Sequence, residues 1–258
     1  MTAPVFLTGD LPAYRVAIAS LSHSAARADG PAGALAVIRG DGAWWEDARR
    51  AAAGGAVALL VDEPEAAPTD VPALRGELGV PVLVRRPSLR SGIVDDALRS
   101  LDGSALRSVV AECQASFADA PRVVRDAVGW MRVLTGGADG APAVLRGRPG
   151  RHGTTARLRW AGGVGASLIV TLVASGGGLL RVRASGETAL EIDLDAPMGR
   201  SVLGVGTSAG WLMTPPRHEQ PEREALRRAL ELVRDGSPTG DLAGFGADAA
   251  TAATILAR

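Results

Sequence analysis

Two periodicities divide this chain. From Tyr14 to Pro87, short apolar or β-branched runs at Arg15–Ala19, Ala34–Ile38, Ala56–Val61 and Pro81–Val84 alternate with helix-like stretches. Short buried parallel strands read in this way. Trp45–Ala53 is rich in Ala, Arg and acids and stops at Gly54-Gly55, which predicts a helix with its C-terminal punctuation. Val71–Leu78 predicts another, after the turn at Glu63-Pro64. Strand, helix, strand, helix, strand implies right-handed crossovers in a parallel sheet. Between the first two expected strands too few residues remain for a full crossover helix.

Beyond Pro87 the pattern changes. Leu106–Ser116 alternates as a strand, and Pro121 opens a helix to about Thr135 that stops at Gly136-Gly137, with Val124, Val128, Met131 and Leu134 on one face. From Thr155 the period is two: Ala156, Leu158 and Trp160 oppose Arg157 and Arg159; Leu180, Val182 and Ala184 oppose Arg181 and Arg183; Leu190, Ile192 and Leu194 oppose Glu191 and Asp193. These are half-exposed antiparallel strands, and the facing charges of the last two predict a hairpin. Ala166–Ala174 is apolar on both faces and is expected to be the best-buried strand. Turns are expected at Gly162-Gly163, Gly176–Gly178 and Ser185-Gly186. After a break at Pro215-Pro216, Pro221–Asp235 predicts a helix with Leu226, Ala229, Leu230 and Val233 on one side and Gly236 as its stop; Ala249–Ala257 predicts a last one. The fold class expected is α/β, a truncated Rossmann-like parallel sheet domain over residues 1–100 followed over 101–258 by an α+β domain with an open, mostly antiparallel sheet.

Composition adds limits. The 258 residues are 47% hydrophobic and 22% charged with zero net charge, which gives no long-range attraction to nucleic acid or an anionic membrane. The start lacks a basic leader region and no apolar run reaches the roughly 18 residues of a membrane span, so a cytoplasmic setting is expected. With only five Trp, three Phe and one Tyr, the core is built from Ala, Val and Leu. Cys113 reads as a buried apolar residue. All 28 basic residues are arginines and asparagine is absent too, which resembles the codon bias of a GC-rich bacterial genome. Whatever its origin, the absence of lysine removes Schiff-base and lysine acid–base chemistry.

Other constellations carry little. His23, His152 and His218 lie far apart, without metal-ligand spacing. Gly204–Gly210 lacks a phosphate-loop lysine and reads as a turn between strands. Ser22, Ser116 and Ser208 lie outside any nucleophile elbow. Trp44-Trp45 reads as a helix start with one ring inward, a ligand wall being the alternative.

Three stretches carry a resemblance. Pro81-Val82-Leu83-Val84-Arg85-Arg86-Pro87, the strand, Gly turn and strand of Leu179–Asp193, and the ending from Glu222 through Gly236 to Asp248 resemble the Gfo/Idh/MocA family of sugar and polyol dehydrogenases. That resemblance implies a nucleotide-binding domain followed by an open sheet that commonly supplies the dimer interface. It also implies three parts of the chemistry, and each departs here. The Gly-rich phosphate turn falls on Ala19–Ser24, which has no glycine. The family lysine falls on Arg86. The family aspartate falls on Asp126, and Trp130 stands where a histidine four residues later handles the hydroxyl proton; an indole N–H donates but is no general base. No residue is therefore assigned to catalysis, cofactor binding or a metal, and Arg86, Asp126 and Trp130 are candidate cleft residues.

The expected function is a catalytically degenerate homologue, a pseudoenzyme, serving as a binding or structural subunit. It is expected to need no cofactor and to form a dimer or other homo-oligomer, or a hetero-oligomer with an active relative, through its C-terminal sheet. Nucleic acid and membrane are not expected partners. The alternative is an NAD(P)-dependent sugar or polyol oxidoreductase with Asp126 as sole proton acceptor. A third reading is a small-molecule sensor. Arg86 and Asp126 also read as an interdomain ion pair, and Trp130 as core.

Overall fold

The first strand is β1 (Ala3–Thr8), ahead of every strand expected from the pattern. The computed structural model describes residues 2–137, 142–160, 164–174, 176–195, 198–215, 218–236 and 239–257. Pro4 hides β1 because proline cannot donate to a ladder; it sits where β1 pairs with β2 (Ala25–Arg27), and pairing with β3 (Leu35–Arg39) begins only at Val5. Arg15–Ala19 is not a strand but lies in α1 (Pro12–Ser20). Pro12 fits the first turn, and Tyr14, Ala17 and Ile18 are buried at helical spacing. A five-residue apolar run carries too little periodicity to separate the two. The shortage of chain for a crossover disappears with this correction, since residues 9–34 hold both α1 and β2.

From there the pattern and the structure agree through α2 (Trp44–Ala53), β4 (Ala58–Asp62), α3 (Val71–Leu78) and β5 (Val82–Arg85). The sheet order β2-β1-β3-β4-β5 is parallel throughout. Its topological switch falls between β1 and β3, because the chain leaves β1 to one side and returns on the other. Helix α6 (Pro221–Asp235) comes back to this unit, and Leu226 and Ala229 pack with Tyr14, Ile18 and Val5. On the other face Trp44, Leu74, Leu242 and Phe245 form a second core.

Next come α4 (Ser91–Leu101), β6 (Leu106–Ser116), α5 (Ala120–Leu134), β7 (Ala143–Gly150), β8 (Gly153–Arg159), β9 (Gly165–Val173), β10 (Leu179–Gly186), β11 (Ala189–Asp195), β12 (Arg200–Thr207) and β13 (Gly210–Met213). The sheet order is β13-β12-β11-β10-β6-β9-β8-β7, mixed because β6 and β9 run parallel. Its core face carries Val109, Ala111, Leu168, Val182 and Ile192 against Val124, Val128, Trp130 and Met131 of α5. The expected hairpin is present, and its register sets Arg181 opposite Asp193 and Arg183 opposite Glu191. Elements without a counterpart in the pattern include β7, β12, β13 and α4; the last buries Ile93, Ala97 and Leu101 at four-residue steps. One expectation is overturned: β9 alternates, with Ile169 42% exposed, so it is not the best-buried strand. Its outward apolar residue faces away from α5 because strand parity allows nothing else.

The last helix, α7, runs Asp241–Leu256 and starts before the expected Ala249, since Gly244 and Gly246 dilute its helical signal. Contacts group residues 1–86 with 219–246 and residues 87–218 with 247–258. This division differs from the 1–100 and 101–258 boundary read from sequence: α4 belongs to the second unit and α6 to the first. The expected turn at Gly162-Gly163 and the Pro216 half of the Pro215-Pro216 break lie outside the described residues. Among the described residues no helix is long and apolar enough to cross a membrane.

Candidate functional site

In an open parallel sheet, ligands lie outside the carboxyl ends of the strands. Here β1, β3, β4 and β5 end at Thr8, Arg39, Asp62 and Arg85. The turn that would meet a phosphate is therefore Gly9–Leu11, not Ala19–Ser24. The latter joins α1 to β2 at the amino edge of the sheet, where the Ala3 N–H donates to the Ser24 carbonyl at 2.9 Å. The correct turn has a single glycine, Gly9, at φ 101°. The Asp10 carboxylate follows it and pairs with Arg15. Pro12 occupies the first helical turn and brings no N–H. Across the switch point, Thr8 Oγ1 donates to the Val37 carbonyl at 3.1 Å and Arg39 donates to the Asp10 carbonyl.

Beside this turn lies a buried polar cluster. Arg85, its side chain 9% exposed, meets Asp62 through Nε, Glu63 at 2.9 Å and Glu222 at 3.3 Å. The Tyr14 hydroxyl donates to Asp62 Oδ1 at 2.7 Å. Burial first, and then the Asp62 carboxylate, push the Tyr14 phenol well above its ordinary range. Burial alone would lower the Arg85 pKa, but the hydrogen bond it donates to Asp62 and the surrounding negative groups outweigh it and hold the guanidinium firmly charged. Glu63 adopts a left-handed backbone at φ 47° while its N–H donates to the Arg85 carbonyl at 3.1 Å. None of these residues was singled out from the sequence. Reading α1 as a strand hid Tyr14, and only the strand-terminal Arg85-Arg86 pair could have signalled the cluster.

Of the sequence-predicted residues, Asp126 and Trp130 stand together on α5, and Arg86 is buried just after β5. Asp126 and Trp130 are both 0% exposed. They grip one peptide: the Ser88 N–H donates to Asp126 Oδ2 at 3.0 Å, and Trp130 Nε1 donates to the Ser88 carbonyl at 2.6 Å. One helical turn separates the two side chains, so they reach the donor and the acceptor of the same residue. Arg125 Nε lies 3.4 Å from Asp126 Oδ1. Trp130 is thus a core residue with its polar end satisfied.

The remaining candidates resolve simply. His23, His152 and His218 are exposed, and no group of three metal-ligating side chains occurs among the described residues. Cys113 is buried, and burial pushes its thiol up to about 12, which is inert for nucleophilic work. Trp44 is buried, donates to the Ala66 carbonyl at 2.8 Å and meets Phe245 edge-on, so its ring is core and not a ligand wall. Gly204–Gly210 is the β12–β13 hairpin; a Cβ on Gly204 or Gly206 would lie 2.7 or 2.6 Å from the Trp211 ring, so these glycines seat an indole.

No protein-family model matches this sequence, and no curated protein matches it. Solved structures do match its fold. UDP-N-acetylglucosamine 3-dehydrogenase GnnA from Acidithiobacillus ferrooxidans aligns with a TM-score of 0.70 at 15% identity over 99% of this chain and 96% of that one. D-galactose-1-dehydrogenase from Rhizobium etli gives 0.68 at 13% over 98% and 95%. Aldose-aldose oxidoreductase from Caulobacter crescentus gives 0.66 at 15% over 99% and 96%. A five-stranded parallel sheet followed by a mixed eight-stranded one, aligned across nearly the whole length of such proteins, gives this chain the fold of the Gfo/Idh/MocA-type oxidoreductases.

Proposed function

We propose that this chain is a catalytically silent version of that oxidoreductase fold, working as a binding or structural subunit that associates through the outward face of its eight-stranded sheet. The observation that carries the reading is the grip of Asp126 and Trp130 on the Ser88 peptide. A general base must present a free lone pair to a substrate hydroxyl. Asp126 instead spends an oxygen on a backbone N–H, fully buried, and an indole replaces the second proton-handling group. With no lysine in the chain, no side chain on that pattern is left to exchange a proton near neutral pH.

The carboxyl edge of the first sheet supports the same reading. A pyrophosphate needs close backbone approach, free N–H donors and positive potential. Gly9 is the lone glycine of the turn, Asp10 sets a carboxylate beside the α1 N-terminus, Pro12 withholds a donor, and Arg85 is already engaged by three acids. These residues do not fit a nicotinamide dinucleotide. The enzymes named above carry dehydrogenase or oxidoreductase names, and a sugar or polyol oxidoreductase is the competing reading.

Titrating NADH and NADPH against the protein and following nicotinamide fluorescence separates the two. The expected result is no saturable binding up to millimolar cofactor. Saturation at or below that concentration would return the chain to the active dehydrogenases. Light scattering coupled to size-exclusion chromatography tests association directly, with a dimer or larger expected at micromolar protein.

A further inference from the structure

We propose that the second unit holds a binding site for a neutral apolar molecule about the size of one aromatic ring, in a cavity between the end of β9 and the start of α5. The site is independent of the association reading above. The cavity has a volume of about 170 Å³ and is partly open to solvent. Its lining comes from β9, the β6–α5 turn, the β7–β8 turn and the end of α7, all within one unit.

Small residues make the space. On β9 the inward positions are Ala166, Leu168, Val170 and Leu172. The first three are buried, whereas Leu172, level with Ala115 near the end of β6, is only partly covered. Ala120 and Pro121, which open α5, line the cavity with short side chains. From the side, the β7–β8 turn contributes Gly150 and Gly153, which have no side chain to fill the gap. Gly153 admits none, since a Cβ there would lie 1.9 Å from the Val170 carbonyl oxygen. The turn therefore lays bare backbone against β9, and the space beside it stays open.

The chemistry of the wall selects the occupant. Of the ten lining residues, Thr154 alone has a polar side-chain atom and none is charged. An enclosed water needs about two to four polar partners, so this wall holds water poorly. An apolar molecule instead takes the faces of Val170, Leu172 and Ile255 out of water. Size narrows the class further. An apolar cavity of about 150 Å³ accommodates benzene, whereas a helix about 10 Å across does not enter such a volume. A carboxylate or ammonium group would find no counter-charge on the wall, so the ligand is neutral. Phe117 lines the cavity while 60% exposed, and a bound ring would cover it in an offset or edge-to-face contact. No lining side chain titrates, so the site binds without acid–base chemistry.

Toluene is the probe, titrated into the full chain while methyl resonances are followed by NMR. Saturable shifts are expected at Val170, Leu172, Ile255 and Leu256 with a midpoint at or below about 1 mM, and little change at Val182 and Ile192 deeper in the same core. The melting temperature should rise with toluene concentration, as for any ligand that binds only the folded chain. Leu172→Trp fills the cavity with its own ring and is expected to weaken toluene roughly tenfold or more, whereas Leu172→Ala enlarges it and is expected to admit naphthalene. Melts without ligand establish that both variants are folded. Benzoate, with the same ring and a charge, is expected to bind roughly tenfold more weakly than toluene or worse. A wild-type chain with no saturable shift, or with saturable shifts confined to methyls away from the cavity, overturns the site, and misfolding of a variant cannot imitate that result. A folded Leu172→Trp that binds toluene as the wild type does overturns its placement. Benzoate binding as tightly as toluene overturns the neutral class.

Discussion

The two sheets of this protein place arginine–carboxylate pairs in opposite surroundings. In the parallel sheet, Arg85 is almost closed from solvent and gathers Asp62, Glu63 and Glu222, with Tyr14 donating into the same cluster. In the eight-stranded sheet, Arg181 and Arg183 sit on an open face, 37% and 48% exposed, with their nearest acids, Asp193 at 2.6 Å and Glu191 at 3.2 Å, on the neighbouring strand. The same chemistry does different work. A buried pair is held by its surroundings and penalises any loss, because an orphaned charge stays behind. An exposed pair is screened, contributes little to stability and remains available to a partner. The carboxyl edge of the first sheet holds the Arg85 guanidinium inside, while the face of the second holds its arginines outside.

The largest effect is expected from Arg85→Met. Removing the guanidinium leaves Asp62 with one phenol and no cation in a buried setting, and a loss of about 3–5 kcal/mol is expected, as for other broken buried pairs. Urea melts at neutral pH measure it. A loss below about 1 kcal/mol would mean that this edge is solvated like the other sheet's face, and the argument against an anionic ligand there would weaken with it.

A smaller effect sharpens the contrast within the second sheet, whose inward face hides one titratable thiol. Cys113 is held at about 12 by burial, against about 8.5 in an unfolded chain. Below the unfolded value both states keep the proton and stability is full. As pH rises from there toward 12, the unfolded chain releases a proton that the fold retains, so stability falls by about 1.4 kcal/mol per pH unit. Tyr14 in the first sheet adds the same sign at higher pH, because burial and Asp62 raise it too. Cys113→Ala should flatten the decline between pH 9 and 10 in denaturant melts. An unchanged slope would place the cause elsewhere.

How much of this was readable in advance follows from which signals are local. Strand parity on β8, β10 and β11 and the facing of arginines by acids across the β10–β11 hairpin follow from a period of two and need no tertiary information. Helices with a proline start and a glycine stop, such as α6, were equally plain. Arg15–Ala19 was not, because a five-residue apolar run fits a helix or a buried strand, and the strand that decides the matter carries Pro4. Taking that run as a strand shifts the turn that would meet a phosphate from Gly9–Leu11 to Ala19–Ser24. The Arg85 cluster was out of reach for another reason: it joins Tyr14, Asp62, Arg85 and Glu222, which lie far apart in sequence and meet only once the parallel strands are in register. Asp126 and Trp130 could be named from a resemblance, but their shared grip on Ser88 depends on where the chain after β5 runs.

The mildest expectation is the matched one, Arg181→Met, the same substitution as in the first sheet. Arg181 holds Asp193 through two bonds, Nε at 2.6 Å and Nη2 at 3.1 Å, a geometry that would be costly to break in an interior. On an open face the freed carboxylate is rehydrated and the longer chain regains motion, so about 0.2–1 kcal/mol is expected. Measured at protein concentrations low enough to keep the chain monomeric, that loss should fall further in 0.5 M salt, since screening reaches exposed charges first. A loss near that of Arg85→Met, insensitive to salt, would mean that the outward ladder holds the sheet itself together. Its charges would then be a structural element, not a surface left open to a partner.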